Sequence, residues 1–351
     1  MGEKVGVGII GTGGISGVHI RGLTTQCSDI ARIVAVADIS EERGRRAAQQ
    51  AGGADYYQDY HDLLARDDIQ FVEILTQPAL HREIAVAAAQ AGKHICIIKP
   101  FTVMLRDADE IIQAARQAGV KLFAGQPTRY DPASRTIHEV VRRGDIGEPT
   151  RMYTRSFLYL GWLEKPQGWY YDLRQSGGVT VETLVHHMDL MHWILGPASR
   201  AYAEAGSFYT QDKPTPLPDD QIAVLYRFQS GAIGVLEGAG SRALGAPSWA
   251  TEVTGTEGAV WLEEGGRVTV SRTRLSSGSL ETIIPGESDT TGGAGPMLRD
   301  YLQCVLEDRE PPVTGEDGRY AVEMAWGAIA SYRSGQPVSL PFDPAHYPDF
   351  D

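Results

Sequence analysis

Glu182 and His186 stand four residues apart in the segment Ser176-Gly-Gly-Val-Thr-Val-Glu182-Thr-Leu-Val-His186-His187-Met-Asp189-Leu190-Met-His192-Trp193. A helix already under way at Glu182 would carry both on one face. A carboxylate beside an imidazole suits proton transfer, which oxidation of an alcohol requires as hydride leaves the carbon. Asp189, three residues beyond His186, is placed to orient its ring, whereas His187 points elsewhere and reads as structural. With His192 the same side chains admit a metal reading, but the HExxH arrangement is missing and no metal is expected. Lys99 is a third candidate. Cys96-Ile-Ile-Lys99-Pro100 reads as a buried strand ending in an ammonium, at the carboxyl edge where open α/β sheets bind ligands. A solvated strand end and a functional lysine both fit that position.

A second constellation opens the chain. The apolar run Val5–Ile10 feeds Gly11-Thr12-Gly13-Gly14-Ile15-Ser16, and a second run, Ile33–Ala37, ends in Asp38. Gly11 lets the strand turn sharply, and Gly13 removes the side chain that would hold the backbone off a pyrophosphate. The N–H groups opening the following helix attract the phosphate charge, and Asp38 can accept hydrogen bonds from a ribose diol. Ser16 stands where Gly or Ala is usual, which still permits close helix–strand packing. This pattern predicts a bound dinucleotide. Ile39-Ser40 follows Asp38 with no arginine to receive a 2′-phosphate, so NAD is expected over NADP, although Arg43, Arg45 and Arg46 lie further along.

The elements that must hold these groups divide the chain. Residues 1–125 alternate strand-like runs (Val5–Ile10, Ile33–Ala37, Phe71–Leu75, His94–Ile98, Lys121–Ala124) with helical stretches, which predicts a doubly wound parallel sheet. In 126–351, β-branched and aromatic runs joined by short turns predict an α+β domain with a large, mostly antiparallel open sheet. Gln229-Ser-Gly231 reads as a hairpin, Thr183–Leu195 as a helix, Met297–Leu306 and Gly318–Ser334 as two more, and Gly286–Gly295 as an exposed loop. At 351 residues two domains are the natural division. The formal net charge of −13 argues against nucleic acid and anionic membranes as partners. Cys27, Cys96 and Cys304 show no metal spacing and no disulfide framework. No signal-peptide pattern follows Met1 and no apolar run spans a bilayer, so a cytoplasmic protein is expected.

Taken in order, these residues resemble the glucose–fructose oxidoreductase / inositol dehydrogenase / rhizopine-catabolism (Gfo/Idh/MocA) family over nearly the whole chain. The resemblance rests on Gly11-Thr-Gly-Gly-Ile-Ser16 with His19, Thr76-Gln-Pro78-Ala-Leu-His81, Ala91-Gly-Lys-His94 and Lys99-Pro100. It continues through Arg129-Tyr-Asp-Pro132, Gly177-Gly178, His186-His-Met-Asp-Leu190 and Ala330-Ser-Tyr-Arg-Ser-Gly-Gln-Pro-Val338. It implies a Rossmann domain, then an open sheet that lines the substrate pocket and builds homo-oligomers. It also implies sugar or polyol substrates and places Lys99, Glu182 and His186 at the catalytic positions. Thr76, Pro78, His81, Lys99 and Arg129 fall, by the same resemblance, on the cofactor side with residues 11–16. Two departures stand out. Ile98 replaces the usual Glu before Lys-Pro, and Glu182 replaces Asp. Losing a carboxylate beside Lys99 would ease its deprotonation, unless strand alternation aims residue 98 away.

Substrate contacts are expected from Tyr159, Trp162, Trp169, Asp172 and Arg174, in an aromatic stretch between the first strand of the second domain and the His186 helix. Aromatic faces pack on sugar C–H surfaces, Asp binds hydroxyls and Arg binds anions, so Arg129, Arg155 and Arg174 leave an acidic sugar open. Two other functions share these residues. One is glycoside cleavage by transient oxidation with bound NAD, using Tyr159, Tyr170 or Tyr171 as extra acid or base. The other is a ligand-sensing regulator without turnover, against which the retention of Lys99, Glu182 and His186 argues.

Overall fold

The computed structural model describes residues 4–159, 168–213, 215–241, 249–263, 266–272, 279–286 and 289–350. The chain forms two compact units: Met1–Tyr130 with Ser288–Arg319, and Asp131–Glu287 with Tyr320–Asp351.

The first unit is built on β1 (Val5–Ile10), β2 (Ala31–Ala37), β3 (Asp55–Tyr57), β4 (Phe71–Ile74), β5 (His94–Ile98) and β6 (Leu122–Gly125). They form one six-stranded sheet in the order β3-β2-β1-β4-β5-β6, parallel throughout. Every residue of β1 is buried, as a strand covered on both faces must be. The crossovers are α1 (Ser16–Gln26), α2 (Glu41–Gln50), α3 (Tyr60–Leu64), α4 (His81–Gln90) and α5 (Leu105–Ala118). Gly119, in the left-handed region at φ 68°, ends α5. The sheet order reverses beside β1, which places the β1–α1 turn and the β4 and β5 ends around the switch point where such sheets take ligands. Buried His19 of α1 is hydrogen-bonded through Nδ1 to buried Glu73 of β4.

In the second unit, Asp131 caps α6 (Pro132–Arg142), its carboxylate accepting the Ser134 N–H at 3.0 Å, and Pro132 occupies the first turn. A nine-stranded sheet follows, in the order β14-β13-β12-β11-β7-β10-β9-β8-β15. Its strands are β7 (Pro149–Tyr159), β8 (Ala198–Gly206), β9 (Gln221–Phe228), β10 (Ile233–Ser241), β11 (Trp249–Gly255), β12 (Gly258–Leu262), β13 (Val268–Arg272), β14 (Ser279–Ile283) and β15 (Val338–Ser339). Only the β7–β10 pair is parallel; β9 and β10 form the expected hairpin around residues 229–231. Strict alternation along β9 buries Ile222, Val224, Tyr226 and Phe228 and turns Leu225 and Arg227 outward.

Helices α7 (Leu173–Ser176), α8 (Gly178–Glu182) and α9 (Val185–Leu195) lie between β7 and β8 in sequence. The helix expected over Thr183–Leu195 therefore starts at Val185, and a separate short helix precedes it. α9 docks on the inner face of the sheet, where His187 Nδ1 meets the Thr154 hydroxyl of β7 at 2.6 Å. Its ring also stacks near Trp249 with centroids 4.0 Å apart.

α10 (Ala294–Leu306) belongs to the first unit, and α11 (Gly315–Ser334) begins in the first and ends in the second. Tyr301 of α10 stacks on Phe123 at 4.7 Å and donates to the Ala124 carbonyl at 2.6 Å. Of the segment expected as an exposed loop before α10, Gly286, Thr290 and Gly292 are exposed but the end is folded in. Asp289 accepts hydrogen bonds from the Thr291 and Gly293 N–H groups and from Gln26 Nε2 of α1, and Thr291, Gly293, Ala294 and Gly295 are buried. The small residues that suggested a loop permit close approach to α1.

Candidate active site

The β1–α1 turn is shaped for a phosphate. Gly11 sits at φ +93°, and a Cβ there would come 2.9 Å from the Leu75 backbone. A Cβ on Gly13 or Gly14 would meet nothing within 4 Å, so the space over these two residues is open. Ser16 Oγ turns back to the Gly13 carbonyl at 2.8 Å, and no side chain caps the start of α1. The Ser16 and Val18 N–H groups donate to the Gly13 and Ile15 carbonyls at 3.2 and 3.0 Å, so an anion here would be met by the open glycine turn and the positive end of the helix dipole.

Asp38, 9 % exposed at the end of β2, is tied to that turn directly. Its Oδ2 accepts the Thr12 N–H at 2.8 Å and the Thr12 hydroxyl at 2.7 Å; its Oδ1 accepts the Ser40 N–H at 2.7 Å and Arg43 Nη2 at 2.9 Å. Burial pushes this carboxyl up, but the hydrogen bonds from Ser40, Thr12 and Arg43 outweigh it and hold the group below its ordinary value. An ionised acceptor beside an open glycine turn and an uncapped helix fits the ribose and pyrophosphate of a dinucleotide. The role of Arg43 was not legible from spacing alone; it is drawn to Asp38 rather than held away from it.

The remaining cofactor-side candidates fall into two groups. Ile15 is exposed and Thr76 partly exposed, while Pro78 is buried at the start of a short 3-10 turn. His81 is fully buried, with Nδ1 and Nε2 each 3.1 Å from a carbonyl, of Phe101 and Thr76 respectively. Burial depresses its pKa, and the neutral ring, with a single N–H, donates to one of these two carbonyls. Arg129 is buried too and is paired with Asp317 of α11 at 3.2 Å.

Lys99 follows β5. From Ile95 through Val103 it is the one residue that is not buried. Ile98 packs into the core at the opposite phase of the strand, so its replacement of an acid leaves the lysine's own side of the chain unchanged.

In the second unit the pattern recurs. From Leu184 through Met191 only His186 escapes burial. Glu182 does not share a continuous helix with it: α8 ends at Glu182, Thr183 breaks the helix at φ −109° and ψ −48°, and α9 starts at Val185. Tyr170, fully buried, shares a hydrogen bond of 3.3 Å with the Thr183 hydroxyl, which donates to Glu182 Oε2 at 3.4 Å. Burial, with the Glu182 charge adding to it, drives the Tyr170 phenol well up. Tyr170 is thus a buried donor in the chain Tyr170–Thr183–Glu182, a link no local motif announces.

Asp189 is buried in α9, His192 stacks on Tyr320 at 4.1 Å with Nδ1 3.3 Å from the Gly196 carbonyl, and His187 is held by Thr154. Among the described residues no three of His, Cys, Asp and Glu converge on a point that could hold a metal ion. Trp169 is partly exposed and packs edge-on against Tyr170 at 5.7 Å. Asp172 is exposed and caps α7, accepting from the Arg174 N–H at 3.0 Å and Gln175 Nε2 at 2.7 Å; Arg174 is exposed as well. Arg155 lies on the outer face of the sheet, over the Phe157 ring at 4.8 Å and opposite to the face that receives α9. Strand alternation sets it on the opposite face from Thr154, the partner of His187. The Tyr159 side chain and all of Trp162 lie outside the described residues.

Known proteins resemble this chain over most of its length. The myo-inositol 2-dehydrogenase of Thermotoga maritima is 28 % identical over 341 residues, covering 95 % of this chain and 98 % of its own. The scyllo-inositol 2-dehydrogenase (NAD(+)) of Bacillus subtilis is 26 % identical over 344 residues, 97 % of each chain. Among solved structures, a levoglucosan dehydrogenase in complex with NADH superposes with a TM-score of 0.89 over 97 % of this chain and 100 % of its own, at 21 % identity, a likeness of fold. Residues 5–126 match the oxidoreductase family with an NAD-binding Rossmann fold, and residues 138–340 match the C-terminal alpha/beta domain of the same family. The chain belongs to the Gfo/Idh/MocA oxidoreductase family.

Proposed function

We propose that this NAD-dependent oxidoreductase interconverts a secondary alcohol and a ketone on a sugar or polyol, with His186, Lys99 and Glu182 as its acid–base set. The observation that carries this reading is selective exposure. Two buried stretches, 95–103 and 184–191, each present a single side chain outward, and each is ionisable: Lys99 and His186. Exposure spares each group the cost of burying a charge and leaves it within reach of a ligand, and in 184–191 it singles out His186 while the ionisable His187 and Asp189 are buried.

Bound NAD supplies the hydride acceptor or donor. The residues of the first unit orient it: the β1–α1 turn takes the pyrophosphate, and Asp38 accepts from the ribose. In the oxidising direction His186 takes the hydroxyl proton as the carbinol C–H bond breaks, and Lys99 donates a hydrogen bond to the oxygen that becomes the carbonyl. Glu182, tethered through Thr183 to Tyr170, accepts from a neighbouring hydroxyl of the substrate. Trp169, Asp172 and Arg174 are the substrate contacts this reading retains. The named activities of the relatives, on inositols, D-apiose and 1,5-anhydro-D-fructose, support a polyhydroxylated ring or chain as the substrate class.

We further infer a homo-oligomer formed through the outer face of the nine-stranded sheet. Leu225 and Ile233 stand exposed there, with Phe208, 69 % exposed, at the rim of a groove of about 440 Å³ beside Phe157, Glu204 and Glu237. No helix among the described residues is long and apolar enough to cross a membrane, and Cys27, Cys96 and Cys304 are buried free thiols, which supports a reducing, cytoplasmic setting.

The test is a panel of inositols, sugars, polyols and aryl glycosides with NAD, followed by NADH absorbance and product analysis. Stoichiometric NADH with a keto product is expected. Release of an aglycone without net NADH would replace the dehydrogenase with redox-neutral glycoside cleavage. Wild-type turnover by His186→Ala would remove the residue assignment.

A further inference from the structure

We infer that Asp219 is a positioning residue for Glu182 and His186, acting through the backbone of Val179; this rests on the acid–base assignment proposed above. Asp219 stands in the segment before β9, 1 % exposed, far in sequence from both residues. Its carboxylate closes the N-terminus of α8: Oδ1 accepts the Val179 N–H at 3.2 Å and Oδ2 the Thr180 N–H at 2.7 Å. The approach is so close that a Cβ on Gly178 would stand 2.9 Å from both carboxylate oxygens, and Gly178 lies at φ +73°. Gly178 is a glycine because Asp219 occupies the place of a side chain there.

Val179 passes the constraint on. Its N–H is fixed by Asp219, and its carbonyl accepts the N–H groups of both linking residues, Thr183 at 2.9 Å and Leu184 at 3.2 Å. Those two residues join Glu182, the last of α8, to Val185 and His186, the first two of α9. The break between the helices, and with it the relation of carboxylate to imidazole, hangs on one residue whose other end is held by a buried charge. Ser176 supports the same turn, its Oγ accepting the Gly178 N–H at 3.0 Å and donating to the Tyr170 carbonyl at 2.8 Å.

The anchor is itself anchored. Asp220, also buried, accepts the N–H groups of Phe208, Tyr209 and Thr210 at 2.8, 2.9 and 2.6 Å, and the Thr210 hydroxyl at 2.9 Å. The Thr210 hydroxyl in turn accepts the Leu217 N–H at 2.8 Å. Adjacent carboxylates thus serve two different segments: Asp220 fixes the loop on which Asp219 stands, and Asp219 fixes α8. Burial raises the Asp219 pKa, with hydrogen bonds from Thr180 and Val179 pulling against it. A carboxamide cannot reproduce both acceptor bonds, since its nitrogen donates.

The test is a double-mutant cycle on the intact enzyme, with NAD and myo-inositol or whichever sugar of the panel turns over fastest. Asp219→Asn is expected to lower kcat between about tenfold and a hundredfold, the range for misplacing a catalytic group by about 1 Å. The dissociation constant for NAD, read by fluorescence titration, should stay unchanged, because that readout belongs to the first unit. In a His186→Ala background Asp219→Asn should cost clearly less than in the wild type, because the part of its effect that runs through the imidazole is already removed. Gly178→Ala, which drives a methyl into the carboxylate, should give the same kcat loss and the same lack of additivity, and serves alone if Asp219→Asn does not fold. Losses that multiply with His186→Ala, a fall in NAD affinity of the same size, or wild-type kcat in both variants would each overturn the inference. Wild-type turnover by His186→Ala alone would overturn the acid–base assignment instead.

Discussion

In the first unit one functional residue bonds the next, Thr12 to Asp38, while in the second a backbone carbonyl, that of Val179, holds the link between two helices. Thr12, inside the glycine turn, donates twice to Asp38, so the residue that shapes the phosphate site also sets the ribose acceptor. Glu182 and His186 stand on separate helices, and the link between those helices is held by the Val179 carbonyl and, behind it, Asp219. A nucleotide presents the same phosphates and ribose to every protein that binds it, and a compact local motif suffices. A substrate pocket assembled from separate segments can change one segment while the anchor holds the others, at the cost of depending on distant residues.

The contrast can be broken from either side. The largest effect should follow His186→Ala or Lys99→Ala, with kcat falling about 10²–10⁴-fold. His186→Ala should leave the NAD dissociation constant near its wild-type value, and a matching loss of NAD affinity would show that the two units do not divide the work. Asp38→Ala should act in the opposite sense. It strips an acceptor from the buried Thr12 N–H as well as from the ribose, and should weaken NAD binding by about 2–3 kcal/mol while narrowing the NAD/NADP difference. Fluorescence titration of both cofactors checks it.

Acid should weaken both units through buried neutral histidines, His81 in the first and His187 in the second. Burial lowers the His187 pKa from 6.5 to about 3, so the folded protein keeps this ring neutral where the unfolded chain protonates it. Unfolding then takes up a proton between those limits, and stability falls as pH drops from about 6.5 toward 3. His187→Asn should flatten that part of a plot of thermal midpoint against pH; an unchanged slope would assign the acid lability elsewhere. The smallest effect is expected from Arg43→Ala. Its guanidinium is about half exposed, and an ion pair at such a site contributes roughly 0–1 kcal/mol, so NAD affinity should move less than about fivefold. A larger gain for NAD than for NADP would show that Arg43 competes with the ribose for Asp38.

Legibility in the sequence followed the same division. The whole β1-turn-α1-β2-Asp38 unit was readable because each residue answers to its neighbours in sequence. The core strands of both sheets were readable from β-branched runs, but β3 and β15, three and two residues long, were too short to show a period, and β14 also went unread. The continuous helical composition of 183–195 concealed the break at Thr183, which is imposed by the Val179 carbonyl rather than by any helix-breaking residue. His186 and Lys99 were visible as residue types, and their selective exposure was not. Asp219 and Asp220 show in sequence only as two acids before a strand; what they hold lies roughly ten and forty residues upstream, beyond any local rule.

The return of Ser288–Arg319 to the first unit bears on the order in which the protein can be made. Phe123 and the Ala124 carbonyl find their partner in Tyr301, and Arg129 finds its partner in Asp317. A nascent chain that has emerged only as far as β6 has every strand of the parallel sheet and none of these partners. The cofactor half must wait, with an aromatic face uncovered, while the ribosome delivers the whole intervening sheet, a span of well over a hundred residues that takes on the order of ten seconds to synthesise. The nucleotide-binding half begins first yet is complete only at Arg319, close to the end of synthesis, so a holding chaperone has a long opportunity on the part of the chain that looks most self-sufficient.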